Sequence, residues 1–380
     1  MSIASVSSSA RRLAWWPALT QALRRSLRTH ALFIAVILLH AAVALVLPPL
    51  LGLPVRYEPS YYGSTFLALT AIALVAFGIT YGATVLLVVR PERPLRHIRS
   101  ELTGKMLTLD RLCMALPFLL LFPLFTATFS FFKSAIPVIN PFSWDPLFAE
   151  WDRLLHGGYE PWQLLQPLLG HPWITTLING NYHLWLGVTY GVILWQMVDT
   201  RQPRLRMQYL LTFLLLWILI GNLAATLLSS AGPVYYGRVT GLVDPFAPLM
   251  EYLRAANAVS PVPALEVQNL LWHWYERGTV IPGAGISAMP SMHLAIVFSF
   301  VLLGFATSRL LGIIFGVFAA IVLIGSVHLG WHYAIDGYAA IIATWLIWLA
   351  VGRLLDLDAV ARLLGLPEDR PETGASAAAG

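Results

Sequence analysis

The chain has 380 residues, of which 58% are hydrophobic and only 11% are charged. A soluble domain carries about 25% charged residues, so this chain cannot cover a globular surface with polar groups. Its net charge of +5 does not indicate nucleic-acid binding, because the basic residues fall in short clusters between long apolar runs. The composition predicts an all-α, polytopic membrane protein.

Eight apolar runs are each near the ~20 residues that cross the hydrocarbon core of a bilayer. They predict transmembrane helices at residues 31–51, 65–89, 112–132, 173–197, 207–229, 292–307, 310–327 and 335–351. The run at 292–307 is short, and the polar sequence NGNYH interrupts the run at 173–197. The composition of residues 367–380 predicts a disordered tail.

The connections between these runs alternate between basic and aromatic. The basic ones hold Arg11, Arg12, Arg24, Arg25, Arg28, then Arg90, Arg93, Arg96, Arg99, Lys105, Arg111, then Arg201, Arg204, Arg206, then Arg309, and finally Arg353, Arg362, Arg370. Because basic loops stay cytoplasmic, we expect both termini in the cytoplasm, which an even number of spans allows. A bacterial inner membrane is the expected location, with the other connections facing the periplasm.

Two of the outward connections have a helical pattern, with tryptophan and acidic residues at helical spacing in the first and an amphipathic stretch with Trp272 and Trp274 in the second. PFSWDPLFAEWDRLLHGG and FAPLMEYLRAANAVSPVPALEVQNLLWHWYERG each predict amphipathic helices at the outer interface. Their tryptophans fit an aromatic belt at the lipid headgroups, and the alternative is a lid that admits a lipid.

Three polar motifs fall at the outer ends of separate runs. They are GPVYYGR at residues 232–238, AMPSMH at 288–293 and HLGWHYAID at 328–336. Ionisable groups at membrane depth cost about 3 kcal/mol each, so they are functional candidates by default. Their convergence on one face predicts an active site there.

These residue types suit displacement at phosphorus. His332 and Asp336 are spaced i, i+4, so on a helix the carboxylate would orient the imidazole and leave its other nitrogen free to attack. His293, from another helix, would protonate the departing oxygen. Ser291 and the opening of its helix would face the phosphate, and Arg238 would add a cationic fork.

Two alternatives stay open. His328, His332 and Asp336 have the i, i+4, i+8 spacing of a metal-binding stripe, as in a metal-dependent membrane hydrolase, although the intervening Gly330 and Trp331 indicate a helix end. A transporter with a histidine proton relay is the other, and the clustering of histidines at one face disfavours it.

The motifs also carry a family resemblance. AMPSMH resembles the P-S-x-H signature of the type 2 phosphatidic acid phosphatase superfamily, and GSVHLGWHYAID resembles its S-R-x5-H-x3-D signature. The resemblance implies a six-helix core at residues 112–352, two additional helices within 31–111, a basic segment at 1–30 and a tail at 353–380. It implies that His332 forms a phosphohistidine, with His293 as general acid, Asp336 as orienter and Ser291 on the phosphate.

The chain departs from the family pattern at several positions. Gly-Ser stands at the S-R pair, and no K-x6-R-P motif is recognised. GPVYYGR occupies its place, so Arg238 with Tyr235 or Tyr236 is expected to substitute, and His328 stands where the family often has tyrosine.

The motifs look most like the branch that includes inositol phosphorylceramide synthases. The resemblance implies a lipid or polyprenyl phosphate substrate among the membrane lipids, with water or an alcohol as acceptor. It implies head-group transfer such as that of inositol phosphate onto a lipid, and neither a metal nor a cofactor.

Overall fold

The protein is all-helical, as its composition predicted. The structure, a computed structural model, describes residues 3–52, 57, 61–278 and 285–366, and every regular element in them is a helix. The α-helices are α1 Ile3–Thr29, α2 Ala31–Leu51, α3 Tyr61–Thr84, α4 Pro94–Glu101, α5 Leu109–Ile139, α6 Asp145–Leu155, α7 Pro161–Leu169, α8 Pro172–Val198, α9 Pro203–Leu215, α10 Ala225–Leu227, α11 Tyr236–Thr240, α12 Ala247–Val259, α13 Ala264–Glu276, α14 Met292–Thr307, α15 Arg309–His328, α16 Ala334–Asp356 and α17 Asp358–Leu364. Short π-helical stretches follow α3, α4 and α9 at Val85–Val89, Leu102–Met106 and Leu216–Ala224, and a 3-10 turn covers Pro233–Tyr235. The predicted tail at 367–380 lies outside the described residues.

Six of the eight predicted spans are long and apolar enough to cross a membrane. Within the described residues these are Ala31–Leu50, Thr70–Val89, Leu109–Ile139, Pro203–Leu227, Arg309–His328 and Ala334–Asp356. Helix α14 has only 16 residues, as its short run predicted. Helix α8 has 27 residues and carries the polar sequence NGNYH. The fold is therefore a polytopic helical bundle of the membrane type.

The helix predicted at residues 173–197 is present as α8, which continues unbroken through NGNYH. The Asn179 side-chain oxygen accepts a hydrogen bond from the backbone N–H of Ala264, 3.0 Å away. The ring nitrogen Nδ1 of His183 lies 2.8 Å from the carbonyl oxygen of Asn179, one helical turn earlier. Polar side chains that find partners in this way need not break a helix.

The basic connections gather at one end of the bundle, which we name the arginine end. Arg206 is only 3% exposed and donates hydrogen bonds to the carbonyl of Met114 and to Nε2 of His30, at 3.2 and 2.8 Å. Arg28 donates to the carbonyl of Leu363 at 3.0 Å. The C-terminal end of α1 and α17 therefore lie together at the arginine end.

The core consists of α5, α8, α9, α14, α15 and α16, each running between the arginine end and the opposite, histidine end. Helices α14 and α15 form a tight antiparallel pair, since a Cβ added to Gly304 would lie 2.9 Å from the Cα of Gly312. Helices α2 and α3 pack chiefly against α5, with further contacts of α2 to α9 and of α3 to α8. We propose on this packing that α2 and α3 are an addition to a six-helix unit.

Short helices cover the histidine end. The amphipathic helices predicted in the two long outward connections are confirmed as α6, α12 and α13. Phe148 of α6 and Phe246, which precedes α12, both pack their rings against Tyr333, with centroids 6.3 and 5.7 Å away. Tyr333 lies between α15 and α16, so α6 and the start of α12 are held directly over the loop that follows His328.

Candidate active site

The three predicted motifs meet at the histidine end. The backbone N–H of Ala288 donates to the carbonyl of Ser230 at 2.8 Å, and that of Ser291 donates to the carbonyl of Asp336 at 3.1 Å. The N–H of Val234 donates to the carbonyl of Gly330 at 3.0 Å. Backbone hydrogen bonds thus join AMPSMH to the segment before GPVYYGR and to HLGWHYAID, as their placement on one face predicted.

The His332 ring is held through Nδ1. This nitrogen lies 3.0 Å from the carbonyl oxygen of Ala288 and 3.2 Å from Oδ2 of Asp336. A carbonyl oxygen only accepts, so Nδ1 carries the hydrogen and Nε2 keeps its lone pair. The ring is therefore oriented with its nucleophilic nitrogen unengaged.

The predicted reason for the His332–Asp336 contact is wrong, although the contact itself is present. The two residues do not share a helix, because α15 ends at His328 and α16 begins at Ala334. Asp336 lies in the first turn of α16 and reaches back, also accepting a hydrogen bond from the N–H of Tyr333 at 3.1 Å. A carboxylate suits this position because it complements the partial positive charge of a helix N-terminus.

His293 lies beside His332. It is the second residue of α14, and its ring centroid is 5.6 Å from that of His332, at an interplanar angle of 67°. Two aromatic side chains of α8 hold it, with Tyr182 stacked at 4.6 Å and Trp185 edge-on at 4.5 Å. Sequence analysis missed this aromatic pair, although the polar NGNYH sequence around Tyr182 was its signal.

Burial keeps the His332 ring neutral. Removal from water lowers the pKa of His332 from 6.5 to about 3, the hydrogen bond to Ala288 opposes this change, and the nearby positive charge of Lys133 adds to it. A neutral imidazole is the form that can attack an electrophile. The charge state therefore agrees with the tautomer that the hydrogen bonds indicate.

Two aspartates of α6 organise the backbone around the histidines. Asp145, fully buried, accepts four hydrogen bonds, which come from Ser230 Oγ, Ala231 N, Gly232 N and Tyr333 Oη at 2.8 to 2.9 Å. Asp152, two turns later, accepts from the N–H groups of Ala334 and Ile335 at the start of α16, at 2.7 and 2.9 Å. A carboxylate that accepts several hydrogen bonds holds the donating segments in fixed positions.

Comparison with known protein families gives a match to the part of the chain that holds this site. The sequence profile of the PAP2 superfamily matches residues 146–350, more than half of the chain, and includes both histidines and Asp336. The chain belongs to the PAP2 superfamily. The comparisons with curated proteins and with solved structures gave no match. Membership supports phosphatase-type activity on lipid phosphates in a membrane.

Lys133 is a further candidate site residue, which sequence analysis missed. It lies on α5, within electrostatic reach of both His293 and His332. No hydrogen bond or ion pair joins its side chain to another described residue. Two signals were available: a single lysine inside a long apolar run, and the sequence KSAIPVINP, which keeps the K-x6-R-P spacing with Asn140 at the arginine position.

Ser291 is placed at the start of α14. It is the N-cap residue, its backbone and side chain are fully buried, and its hydroxyl accepts a hydrogen bond from the N–H of Leu294 at 3.4 Å. Helix capping therefore accounts for this serine in the structure. Its contact with a phosphate stays a prediction.

The predicted substrate residues of GPVYYGR lie farther out, in the cover of the histidine end. Arg238 lies over the ring of Trp272, with its guanidinium carbon 5.0 Å from the ring centroid. The Tyr235 hydroxyl donates to the backbone carbonyl of Gln268 at 2.8 Å, and Tyr236 packs edge-on against Phe246. Neither hydrogen bond nor ring contact joins Arg238, Tyr235 or Tyr236 to the two histidines in the described chain.

His328 serves the packing of helices. Its Nε2 lies 2.9 Å from the hydroxyl of Thr175 on α8, and its ring is 6.0 Å from that of Tyr252 on α12. The metal-binding stripe is wrong in its geometry, because α15 ends at His328 and the chain turns before His332. Across the described residues, no three His, Cys, Asp or Glu side chains cluster as metal ligands.

We predict that Asp145→Asn lowers both catalytic rate and stability. The amide would present an NH2 group to donors that now meet a carboxylate, and each unsatisfied buried group costs about 1–3 kcal/mol. Because the loop carrying His332 would lose its anchor, kcat should fall about tenfold or more with a smaller change in KM. Phosphate release and thermal unfolding in detergent measure this.

The matched control is Glu150→Gln, a charge removal on the same helix at an ion pair with Arg153 whose side chains are both exposed. It should leave kcat unchanged. Full kcat in Asp145→Asn would contradict the positioning role, whereas Tyr333→Phe, which removes one of the four hydrogen bonds, should give an intermediate loss.

Proposed function

We propose that this PAP2 protein is an integral membrane lipid-phosphate phosphatase or phosphotransferase that works through a phosphohistidine on His332. The observation that carries the proposal is the pairing of two imidazoles, one on α14 and one in the loop between α15 and α16. Their ring centroids are 5.6 Å apart, and the His332 ring is oriented through Nδ1 with Nε2 free. Such a pair provides a nucleophile and a general acid for one phosphorus atom.

The proposed reaction has two balanced steps. The Nε2 lone pair of His332 forms the bond to phosphorus, and the bond from phosphorus to the leaving oxygen breaks with its electron pair on that oxygen. Protonated His293 gives its proton to the leaving oxygen. Water or an alcohol then attacks the phosphohistidine, gives a proton back to His293 and returns the N–P electron pair to Nε2.

Asp336 and the carbonyl of Ala288 act on this reaction by orienting the His332 ring. As phosphorylation makes the ring cationic, the carboxylate 3.2 Å from Nδ1 stabilises that charge. Lys133 is the proposed cation for the phosphate oxygens, because it has no partner in the described chain and lies near both rings. Ser291 and the opening of α14 are proposed to face the same phosphate.

The proposed orientation follows from the separation of charge and site. The arginine end lies opposite the histidine end, and basic segments favour the cytoplasm. We therefore propose a bacterial inner-membrane protein with both termini cytoplasmic and the histidines facing the periplasm. The proposed substrate is a lipid or polyprenyl phosphate, and the motifs favour the branch of inositol phosphorylceramide synthases, in which a head group is transferred.

We predict that His332→Ala abolishes turnover. Loss of the nucleophile should lower kcat on the order of a thousandfold or more, and the acid-labile, base-stable label that a radioactive lipid phosphate leaves on the wild type should be missing. Phosphate release and labelling of the purified protein measure this. His171→Gln, at an exposed histidine before α8, is the matched control and should behave as the wild type.

His293→Ala tests the general-acid role of His293 separately from the nucleophilic role of His332. A substrate with a nitrophenol leaving group needs no proton, so it should restore most of the labelling that this variant loses with an alkyl substrate. Normal turnover by His332→Ala would contradict the assignment of the nucleophile. Failure of the nitrophenyl substrate to restore labelling of His293→Ala would contradict the assignment of the general acid.

We predict that Lys133→Met weakens the productive binding of the phosphate. Removal of a charge-assisted contact should lower kcat/KM about ten- to a hundredfold, and Lys133→Arg should recover part of it. Kinetics with a short-chain lipid phosphate measure this. The control is Arg309→Met, an exposed cation at the arginine end, and equal effects of Lys133→Met and the control would reject the role.

We predict a bell-shaped pH profile. The pKa of His332 is lowered to about 3, so this ring stays neutral and able to attack far below its ordinary 6.5. Activity is lost at low pH when His332 gains a proton, and at high pH when His293 loses the proton it must donate. The measured limits belong to the coupled pair. The acid limb is expected near the His332 pKa of about 3, so values of kcat/KM from about pH 2 to about pH 9 test this, and the absence of a fall at either end would contradict it.

A further inference from the structure

A buried tyrosine of α8, Tyr182, lies beside the two histidines with its hydroxyl unused. The residue is 2% exposed, and its Oη has no hydrogen-bond partner in the part of the chain that the structure describes. A buried polar group without a partner is costly, and native proteins keep few of them. A phenylalanine would serve the packing of this ring equally well, so the hydroxyl needs a separate explanation.

Three observations fix the direction in which the Tyr182 side chain points. Its base lies against the last turn of α15, since a Cβ added to Gly325 would lie 3.8 Å from the Tyr182 Cβ and 3.5 Å from its Cδ2. Its ring stacks on that of His293, with centroids 4.6 Å apart. Its hydroxyl is within electrostatic reach of Asp336, which contacts the His332 ring. The side chain therefore runs from α15 across His293 toward His332 and Asp336.

No acceptor of the protein satisfies this hydroxyl. Oδ1 of Asp336 is itself buried without a hydrogen bond, so the two groups do not pair with each other. A second unused donor, Nε1 of Trp331, belongs to a ring that lies at 9° to the Tyr182 ring, with centroids 6.4 Å apart. An indole N–H can only donate. Two unused donors beside the histidines indicate a ligand that is rich in acceptors.

Phosphate oxygens are the acceptors that the proposed reaction brings to this place. Hydrogen bonds to an anionic oxygen are stronger than those between neutral groups. His332 is itself only 5% exposed, so a phosphate that reaches its Nε2 enters the same buried layer as the Tyr182 ring. Phosphate at His332 is therefore the ligand that best accounts for the unused hydroxyl.

The phosphate also lacks donors at two positions where the family signatures have arginine. Ser326 stands at the arginine of the S-R pair, and its hydroxyl donates to the carbonyl of Leu323 at 2.7 Å. Asn140 stands at the arginine of K-x6-R-P, and its side-chain amide donates to the carbonyl of Thr226 at 2.8 Å. Both side chains are engaged elsewhere, which leaves room for an uncharged donor from α8.

We propose that Oη of Tyr182 donates a hydrogen bond to a non-bridging phosphate oxygen during the reaction at Nε2 of His332. The inference rests on the proposed function and adds a catalytic residue to it. The tyrosine keeps its proton throughout, so the two balanced steps are unchanged. A donor that is held in place by the stack on His293 stabilises charge on the phosphoryl oxygens without first having to reorient.

Tyr182→Phe tests the proposal, because it removes the hydroxyl and keeps the ring. We expect kcat/KM for a short-chain lipid phosphate to fall about tenfold or more, and the inhibition constant of inorganic phosphate to rise by a similar factor, since a hydrogen bond to a charged acceptor is lost. The matched control is Tyr190→Phe, the same change on the same helix about two turns nearer the arginine end, and it should alter neither value.

Acid-labile labelling of His332 shows that a variant is folded with a working nucleophile. In labelled Tyr182→Phe, unchanged kcat/KM and unchanged phosphate inhibition would overturn the inference and leave the proposed function intact. A lowered kcat with unchanged phosphate inhibition would indicate that the hydroxyl acts on Asp336, and would also overturn it. Absence of the label in the wild-type protein would instead overturn the proposed function, and the inference with it.

Binding of inorganic phosphate gives a readout that does not depend on turnover. Phosphate should raise the Tm of the wild-type protein, because a ligand that binds the folded state stabilises it. We expect a clearly smaller rise at the same phosphate concentration in Tyr182→Phe and a wild-type rise in Tyr190→Phe. An equal rise in all three proteins would contradict the contact between Tyr182 and phosphate, even if Tyr182→Phe takes no label.

Discussion

The site depends on one hydrogen bond, from Nδ1 of His332 to the carbonyl of Ala288. Ala288 belongs to the segment that leads into α14 and His293, so this bond joins the two histidine-bearing parts of the chain. It also selects the tautomer, which a carboxylate alone could not do unless it were ionised. Orientation, tautomer and the closeness of the two rings therefore share a single cause.

That bond holds only because the backbone around it is fixed. Asp145 and Asp152 collect six hydrogen bonds from the segments before α11 and at the start of α16. Charges taken out of water are costly unless donors surround them. Here backbone N–H groups, a serine and a tyrosine supply those donors, so two buried carboxylates become the framework of the site.

Much of this could be predicted from the sequence, because hydropathy and histidine spacing are local signals. The spans and the meeting of the AMPSMH and HLGWHYAID motifs are examples. The features that sequence analysis missed depend on contacts with residues far away along the chain. The polar side chains of α8 had no explanation in the sequence, because their partners, Ala264 and His293, are far along the chain. Lys133 was passed over because Asn140 stands where the K-x6-R-P motif has arginine. The helical stripe through His328 failed at Gly330, where the chain turns.

The six hydrogen bonds of α6 restrict how a substrate can reach the histidines. A helix tied to the loop below it by two saturated carboxylates cannot swing outward without exposing both charges and six unpaired donors. We therefore expect α6 to stay in place when a substrate enters. Entry of the proposed lipid phosphate by outward movement of α6 would break all six of these hydrogen bonds, so α6 is not part of the proposed route to His332.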